Sequence, residues 1–115
     1  MSKLKLLFVC TANINRSRTA EDLLKGSDRY EVQSAGIKKH DQGKQVVTQE
    51  LVDWADIIFV MDEDHDRHAS ILQERFGAGK EKVCILCVPD IYAKGDKVLA
   101  ELLRSRLTAH GIIFR

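Results

Sequence analysis

Polar residues interrupt most of the chain every three or four positions, but a few short stretches are almost wholly apolar. Leu4 to Val9 is one, and Asp56 to Met61 (DIIFVM) is another. Runs of this length suit strands buried on both faces. Tyr30 to Ala35 (YEVQSA), stopped by Gly36, has the composition of a further strand, and Lys82 to Val88 (KVCILCV) supplies a fourth. Helical spacing fills the intervals. Ser17 can cap a helix that runs through Leu24 with Ala20, Leu23 and Leu24 on its apolar face. Thr48 with Leu51, Val52 and Ala55 predicts a short helix. Asp62, Glu63 and Asp64 put negative charge at the start of a third, whose buried side is Ile71, Leu72 and Phe76 and whose end is marked by Gly77 and Gly79. Val98, Leu99, Leu102, Leu103 and Leu107 stripe the last. Ile37 to Lys44 is polar and irregular.

Strands alternating with helices, joined by right-handed crossovers, predict an α/β fold. The expectation is a single-domain three-layer sandwich over residues 1–115, with a four-stranded parallel sheet in the order 2-1-3-4. Ligands of such sheets sit at the carboxyl ends of the strands, near the switch in strand order. Cys10 ends the first strand.

With 115 residues, one domain can bury a core without staples. Lys+Arg 18 against Asp+Glu 17 leaves a formal net charge of +1, so the chain has no global field of the kind nucleic-acid binders use, and any anion site must be local. No apolar stretch is long enough to span a bilayer, and MSKLKLLFVC reads as a strand, not a targeting signal. Three cysteines, Cys10, Cys84 and Cys87, form an odd set that argues against a disulfide framework. A reducing cytoplasm is the expected location. There is no motif for a nucleotide cofactor.

CTANINRS, from Cys10 to Ser17, places a thiol at a strand end, a five-residue loop (Thr11, Ala12, Asn13, Ile14 and Asn15), an arginine, and a hydroxyl at a helix start. Such a loop can turn successive amides inward, and the helix start adds unpaired donors and the positive end of its dipole. That cradle fits phosphate. Arg16 can hold two phosphate oxygens in its planar fork. The same surroundings favour thiolate over thiol at Cys10, and a thiolate attacks phosphorus. Ser17 can hydrogen-bond the sulfur, or simply cap the helix. Expelling the alcohol requires an acid. Asp90, just after Val88-Pro89 on the expected same rim, is the candidate, with Asp96 in reserve; Tyr92 is placed to flank a substrate ring. Asp90 can equally be an ordinary turn residue after proline.

These segments together resemble the low-molecular-weight protein-tyrosine phosphatases, in a shortened bacterial form. LFVCTANINRSRTAE resembles the family's phosphate loop and following helix, QSAG the end of its second strand, ADIIFVMDEDH its third, and VPDIY its acid loop. The resemblance implies a flavodoxin-like sheet and a metal-free phosphomonoesterase working through a phosphocysteine, on a phosphorylated protein or a small aryl phosphate. Cys10 would be the nucleophile, Arg16 the phosphoryl binder and Asp90 the acid and then the base. Asn13, Ser17 and Ser34 would brace the loop, and Ile14 and Tyr92 would line the mouth. Five departures stand out. Ile91 follows the acid where the family usually has proline, and Asn15 replaces a common second cysteine. Ala12 replaces a common glycine and Arg18 a common proline. The stretch Gly36 to Gln45 is shorter than in full-length members.

Other readings compete. An arsenate reductase shares the loop and relays electrons through further cysteines, but Cys84 and Cys87 fall within an expected apolar strand. A phosphotransfer carrier with its thiol at the same place lacks the arginine. A noncatalytic phosphoprotein-binding module would keep the cradle and lose the acid. His65 and His68 in DEDHDRH can meet on one helix face, yet read as solvated surface more readily than as metal ligands. His40 lies about one residue from where a family histidine would brace the loop, and His110 reads as a helix end.

Overall fold

The apolar runs become the middle of a parallel sheet. The computed structural model describes residues 3–114; Met1, Ser2 and Arg115, the ends of the expected domain, lie outside the described residues. Strand β1 (Leu4–Cys10) pairs with β2 (Tyr30–Gly36) on one side and β3 (Ile57–Val60) on the other, and β4 (Val83–Ile85) adds beyond β3. The order is β2-β1-β3-β4, as the alternation of elements requires. Four helices connect and cover the strands: α1 (Arg16–Leu24), α2 (Gln49–Trp54), α3 (His68–Phe76) and α4 (Lys97–Ala109).

Alternate residues of β1 feed two separate cores, because successive strand side chains point to opposite faces. Leu6, Phe8 and Cys10 join Ala20 and Leu24 of α1 and Leu99, Leu103 and Leu107 of α4. Leu7 and Val9 join Val52 of α2 and Leu72 of α3 on the other face. The result is three layers. Phe8 and Phe59 are register partners, and their rings stack with centroids 5.7 Å apart. Fully burying a side chain of this kind stabilises the fold by about 1.5–3 kcal/mol.

Element edges differ from the sequence expectation where a side chain has another task. Helix α1 starts at Arg16 with Asn15 in the capping position, so Ser17 is inside the first turn and is not its cap. Helix α3 starts only at His68, behind Arg67 in the left-handed region at φ 54°; the acidic residues expected to open it form a preceding turn instead. Strand β4 ends at Ile85 because Cys87 adopts φ 58°, which no strand accommodates. The chain still follows β3 for two further bonds, Leu86 N–H to the Val60 carbonyl at 2.9 Å and Val88 N–H to the Met61 carbonyl at 2.7 Å. Val98 is 57% exposed, leaving Leu99, Leu103 and Leu107 as the buried stripe of α4. No helix of the described residues is long and apolar enough to cross a membrane.

Candidate active site

The carboxyl end of β1 delivers Cys10, 3% exposed, into a loop that closes on the start of α1. Asn13 takes φ 56° there, a left-handed conformation that asparagine tolerates better than most residues and that bends the loop back on itself. Its side chain is fully used. Nδ2 donates to Ser17 Oγ at 2.8 Å, and Oδ1 accepts from the Gln45 N–H at 3.0 Å. Because Ser17 Oγ already accepts from Asn13, its own proton is free for Cys10 Sγ, 2.9 Å away. An ionised sulfur at this point is therefore met by a donor.

Residues 36–46 clasp the loop from outside. Ile37 N–H donates to the Cys10 carbonyl at 3.0 Å and Lys38 N–H to the Thr11 carbonyl at 2.8 Å. Gly36 packs so closely that a Cβ on it would stand 2.8 Å from the Ala12 carbonyl carbon and 2.9 Å from the Asn13 nitrogen. Ser34 does not touch the loop. Its hydroxyl donates to Glu21 Oε1 at 2.7 Å, Lys44 Nζ donates to Glu21 Oε2 at 2.8 Å, and Gln45 Nε2 donates to the Ser34 carbonyl at 2.9 Å. Ser34 thus acts on the loop through Gln45.

Arg16 is 1% exposed. Nη1 donates to the Val88 carbonyl at 2.9 Å and Nη2 to Asp66 Oδ2 at 2.9 Å, which fixes the plane of the guanidinium. Nε has no hydrogen-bond partner, although Asp90 Oδ1 lies 3.7 Å from it, at ion-pair distance but beyond hydrogen bonding. A buried donor left unpaired costs about 1–3 kcal/mol. An oxygen of a bound oxyanion would satisfy it.

His68 is completely buried, contrary to the expectation of a solvated surface. Its Nδ1 accepts from the Asp62 N–H at 3.0 Å, which leaves the proton on Nε2 to face Thr11 Oγ1 at 3.0 Å. Burial, reinforced by the Arg16 charge and opposed by Asp66, lowers its pKa from 6.5 to about 4, so the ring is neutral near pH 7. Asp62 in turn accepts from the N–H groups of His65 and Asp66 at 2.7 and 2.6 Å. Burial raises its pKa, but those donors outweigh it and the carboxyl rests below its ordinary value. His40 is exposed and accepts from the Gln42 N–H at 3.1 Å, so it does not brace the phosphate loop with its ring. His110 caps the end of α4 and sets its ring edge-on to Phe59.

The segment after β4 carries Asp90, 57% exposed at its side chain, to the Arg16 side of the loop. Two backbone bonds tether its far end: Lys94 N–H to Asn15 Oδ1 and Gly95 N–H to Thr19 Oγ1, both 3.1 Å. Asp96, the reserve acid, accepts from the N–H groups of Val98 and Leu99 at 2.8 and 3.3 Å and so caps α4. Ile91 lines the cleft beside Arg16, and Tyr92 packs partly buried against the core. Ile14 is half-buried on the loop itself.

The cleft encloses about 460 Å³ between Arg16, Asp62, Asp64, Asp66, Asp90 and the exposed Cys87. Cys87 is therefore a cleft residue, not a strand residue as the sequence suggested. Cys84 stays in β4, where burial raises its pKa. Among the described residues, no group of three or more His, Cys, Asp or Glu side chains is disposed to hold a metal ion.

The model of the family described as low molecular weight phosphotyrosine protein phosphatase matches residues 5–47, which contain the whole loop and its clasp. The chain resembles that family. No curated protein sequence matches it. By fold it is similar to a mutant of YwlE from Bacillus subtilis, with 26% identity, coverage of 94% of this chain and 98% of that one, and a TM-score of 0.69. A low-molecular-weight phosphotyrosine phosphatase from Vibrio cholerae O395 aligns at 23% identity over 94% of each chain, with a TM-score of 0.72. An arginine phosphatase YwlE from Geobacillus stearothermophilus gives 24% identity, coverage of 91% and 86%, and a TM-score of 0.66. The Geobacillus and Vibrio proteins are phosphatases, and the family match together with these neighbours does not favour an arsenate reductase.

Glu21, Asp66 and His68 had no local signal in the sequence. Asp66 meets Arg16 and His68 meets Thr11 only because the start of α3 and the turn before it pack onto the loop, and Glu21 joins Ser34 to Lys44 behind it.

Proposed function

We propose that the protein is a cysteine-dependent phosphomonoesterase acting on phosphotyrosine or another aryl phosphate in a reducing cytoplasm. The Cys10 thiolate attacks phosphorus, and the bond from phosphorus to the aryl oxygen breaks. Asp90 gives its proton to the departing oxygen, while Arg16 Nε and the loop amides of Thr11 to Ser17 hold the phosphoryl oxygens. The Asp90 carboxylate then takes a proton from water as the water attacks the phosphocysteine. The sulfur–phosphorus bond breaks, and the Ser17 hydroxyl stabilises the thiolate that leaves.

The observation that carries this reading is the buried Arg16 with Nε unpartnered and Asp90 3.7 Å away. Asp90, the proposed acid, then stands beside a buried side-chain donor that lacks an acceptor among the described residues. Support also comes from a similar structure, at 26% identity, titled as an arginine phosphatase YwlE cysteine-to-serine mutant with a phosphorylated active-site serine. The test is rapid-mixing kinetics on aryl phosphates with wild type, Cys10→Ser and Asp90→Ala. Cys10→Ser loses turnover, and Asp90→Ala keeps a burst on activated leaving groups while losing roughly 10²–10⁴-fold on poor ones. Equal rates in all three proteins refute the assignment, and no turnover in wild type selects a binding module.

A second reading rests on the carboxylates of Asp62, Asp64, Asp66 and Asp90 around the cleft. They favour a cationic leaving group, such as the guanidine of a phosphoarginine. Comparing phosphoarginine and phosphotyrosine peptides of one sequence decides between the two.

A further inference from the structure

A second cavity, of about 450 Å³, lies against the opposite flank of the phosphate loop. Ala12 of the loop forms its inner edge, and Lys38, Lys39, His40 and Lys44 supply its charge. No Asp or Glu lines it. The contrast with the first cleft is one of sign, since four aspartates surround that one. Lys44 is anchored by Glu21, but Lys38 and Lys39 are exposed and form no ion pair among the described residues. Their backbone is rigidly placed. Lys38 N–H is bonded to the carbonyl of Thr11, one residue beyond Cys10, and Gly43 presses on the Ala12 carbonyl so closely that no Cβ would fit. The stem of Lys38 therefore starts at a fixed place beside the loop, with Lys39 next to it. Lysines without partners next to a preformed concavity form a local positive field in a chain of net charge +1.

We propose that this cavity binds a second anionic group of the substrate, so that the preferred substrate is a phosphorylated polypeptide with an acidic side chain beside the phosphorylated one. The proposal rests on the phosphatase reading for its substrate, but not for its binding surface. The anion is either a carboxylate or a second phosphate, which share the chemistry that Lys38 and Lys39 recognise. Orientation follows from the two flanks: the acidic neighbour lies over residues 38–44, away from Asp62 and Asp64.

The test uses phosphotyrosine peptides of one length flanked by Glu, Ser, Lys or phosphoserine, with para-nitrophenyl phosphate as a substrate that has no flank. Two exposed ion pairs predict that kcat/KM for the Glu-flanked peptide exceeds that for the Ser-flanked one by about three- to tenfold at low ionic strength. The advantage fades toward 1 M salt, where the screening length is about 3 Å. In a Lys38→Glu/Lys39→Glu variant, the ratio of peptide to aryl phosphate kcat/KM falls for the Glu flank and rises for the Lys flank. A larger gain from the phosphoserine flank identifies a dianion as the better occupant. Fluorescence anisotropy of the same peptides on Cys10→Ser reads the ordering without turnover. If wild type turns over the aryl phosphate but treats all flanks alike, the cavity proposal is overturned and the phosphatase reading stands. If nothing is turned over yet Cys10→Ser still prefers the Glu flank through Lys38 and Lys39, the opposite holds.

Discussion

Acidification should unfold this protein partly through one ring. His68 is fully buried and neutral, bonded to Thr11 of the phosphate loop and to the Asp62 N–H, with its pKa lowered from 6.5 to about 4. A histidine whose folded pKa is depressed leaves the unfolded chain binding more protons between the two values. Stability is then complete above about pH 6.5 and is lost as pH falls toward 4. Integrating the linkage from pH 7 to 4.5 gives on the order of 2 kcal/mol from this residue alone. Glutamine keeps both hydrogen bonds, accepting with Oε1 and donating with Nε2, but does not titrate. Urea unfolding of wild type and His68→Gln at the two pH values therefore isolates the effect. Losses from Asp62 and Glu63, whose carboxyls are held below their ordinary values, are largely common to both proteins, since burial and backbone donors outweigh the charge of His68 at Asp62. Wild type should lose on the order of 2 kcal/mol more than the variant over this interval. Equal losses would mean that the ring is not neutral and buried as described.

Three further substitutions probe the loop. Arg16→Lys removes the fork that reaches Val88 and Asp66, and kcat/KM on an aryl phosphate should fall by about 10²–10³-fold, as for loss of a preorganised oxyanion donor; a change below tenfold would contradict the role. Gly36→Ala forces a Cβ against the backbone of Ala12 and Asn13, and thermal or urea unfolding should show a loss of about 1–3 kcal/mol together with lower kcat. Asn15→Ala frees Lys94 N–H and loosens the Asp90 segment, so kcat should fall roughly tenfold on poor leaving groups and much less on activated ones.

Sheet order and layers were legible because Leu6 to Val9 and Ile57 to Val60 are continuous apolar runs whose burial needs helices on both faces. The spacing of Cys10, Arg16 and Ser17 was legible because the chemistry is contained in one short loop. What the pattern missed is tertiary. Nothing local distinguishes the buried His68 from the exposed His65 three residues earlier in the same acidic segment. Burial of the former is decided by the Arg67 backbone turning to φ 54°, which aims the ring at Thr11. Cys87 likewise reads as strand until its positive φ turns it toward the cleft.

The departures from the family pattern acquire a common physical meaning from these contacts. Proline at Arg18 and Ile91 would constrain the backbone by residue type; here the constraint comes from hydrogen bonds to neighbouring segments. Asn15, where a second cysteine is common, holds the Asp90 segment through Lys94. Arg18 Nη1 reaches the Gln42 carbonyl at 3.4 Å and helps tie the clasp to α1. Asn13 Oδ1 holds the other end of that clasp through Gln45. Tertiary bonds of this kind each contribute about 0.5–1.5 kcal/mol and fail together when the segments separate, whereas a residue-type constraint survives local opening. The geometry of the phosphate loop should therefore melt with the 36–46 clasp, and amide exchange at Asn13 to Ser17 should track exchange at Lys38 and Gln45 through a denaturant series. Loop amides that stayed protected after the clasp had opened would show that the loop holds its shape on its own.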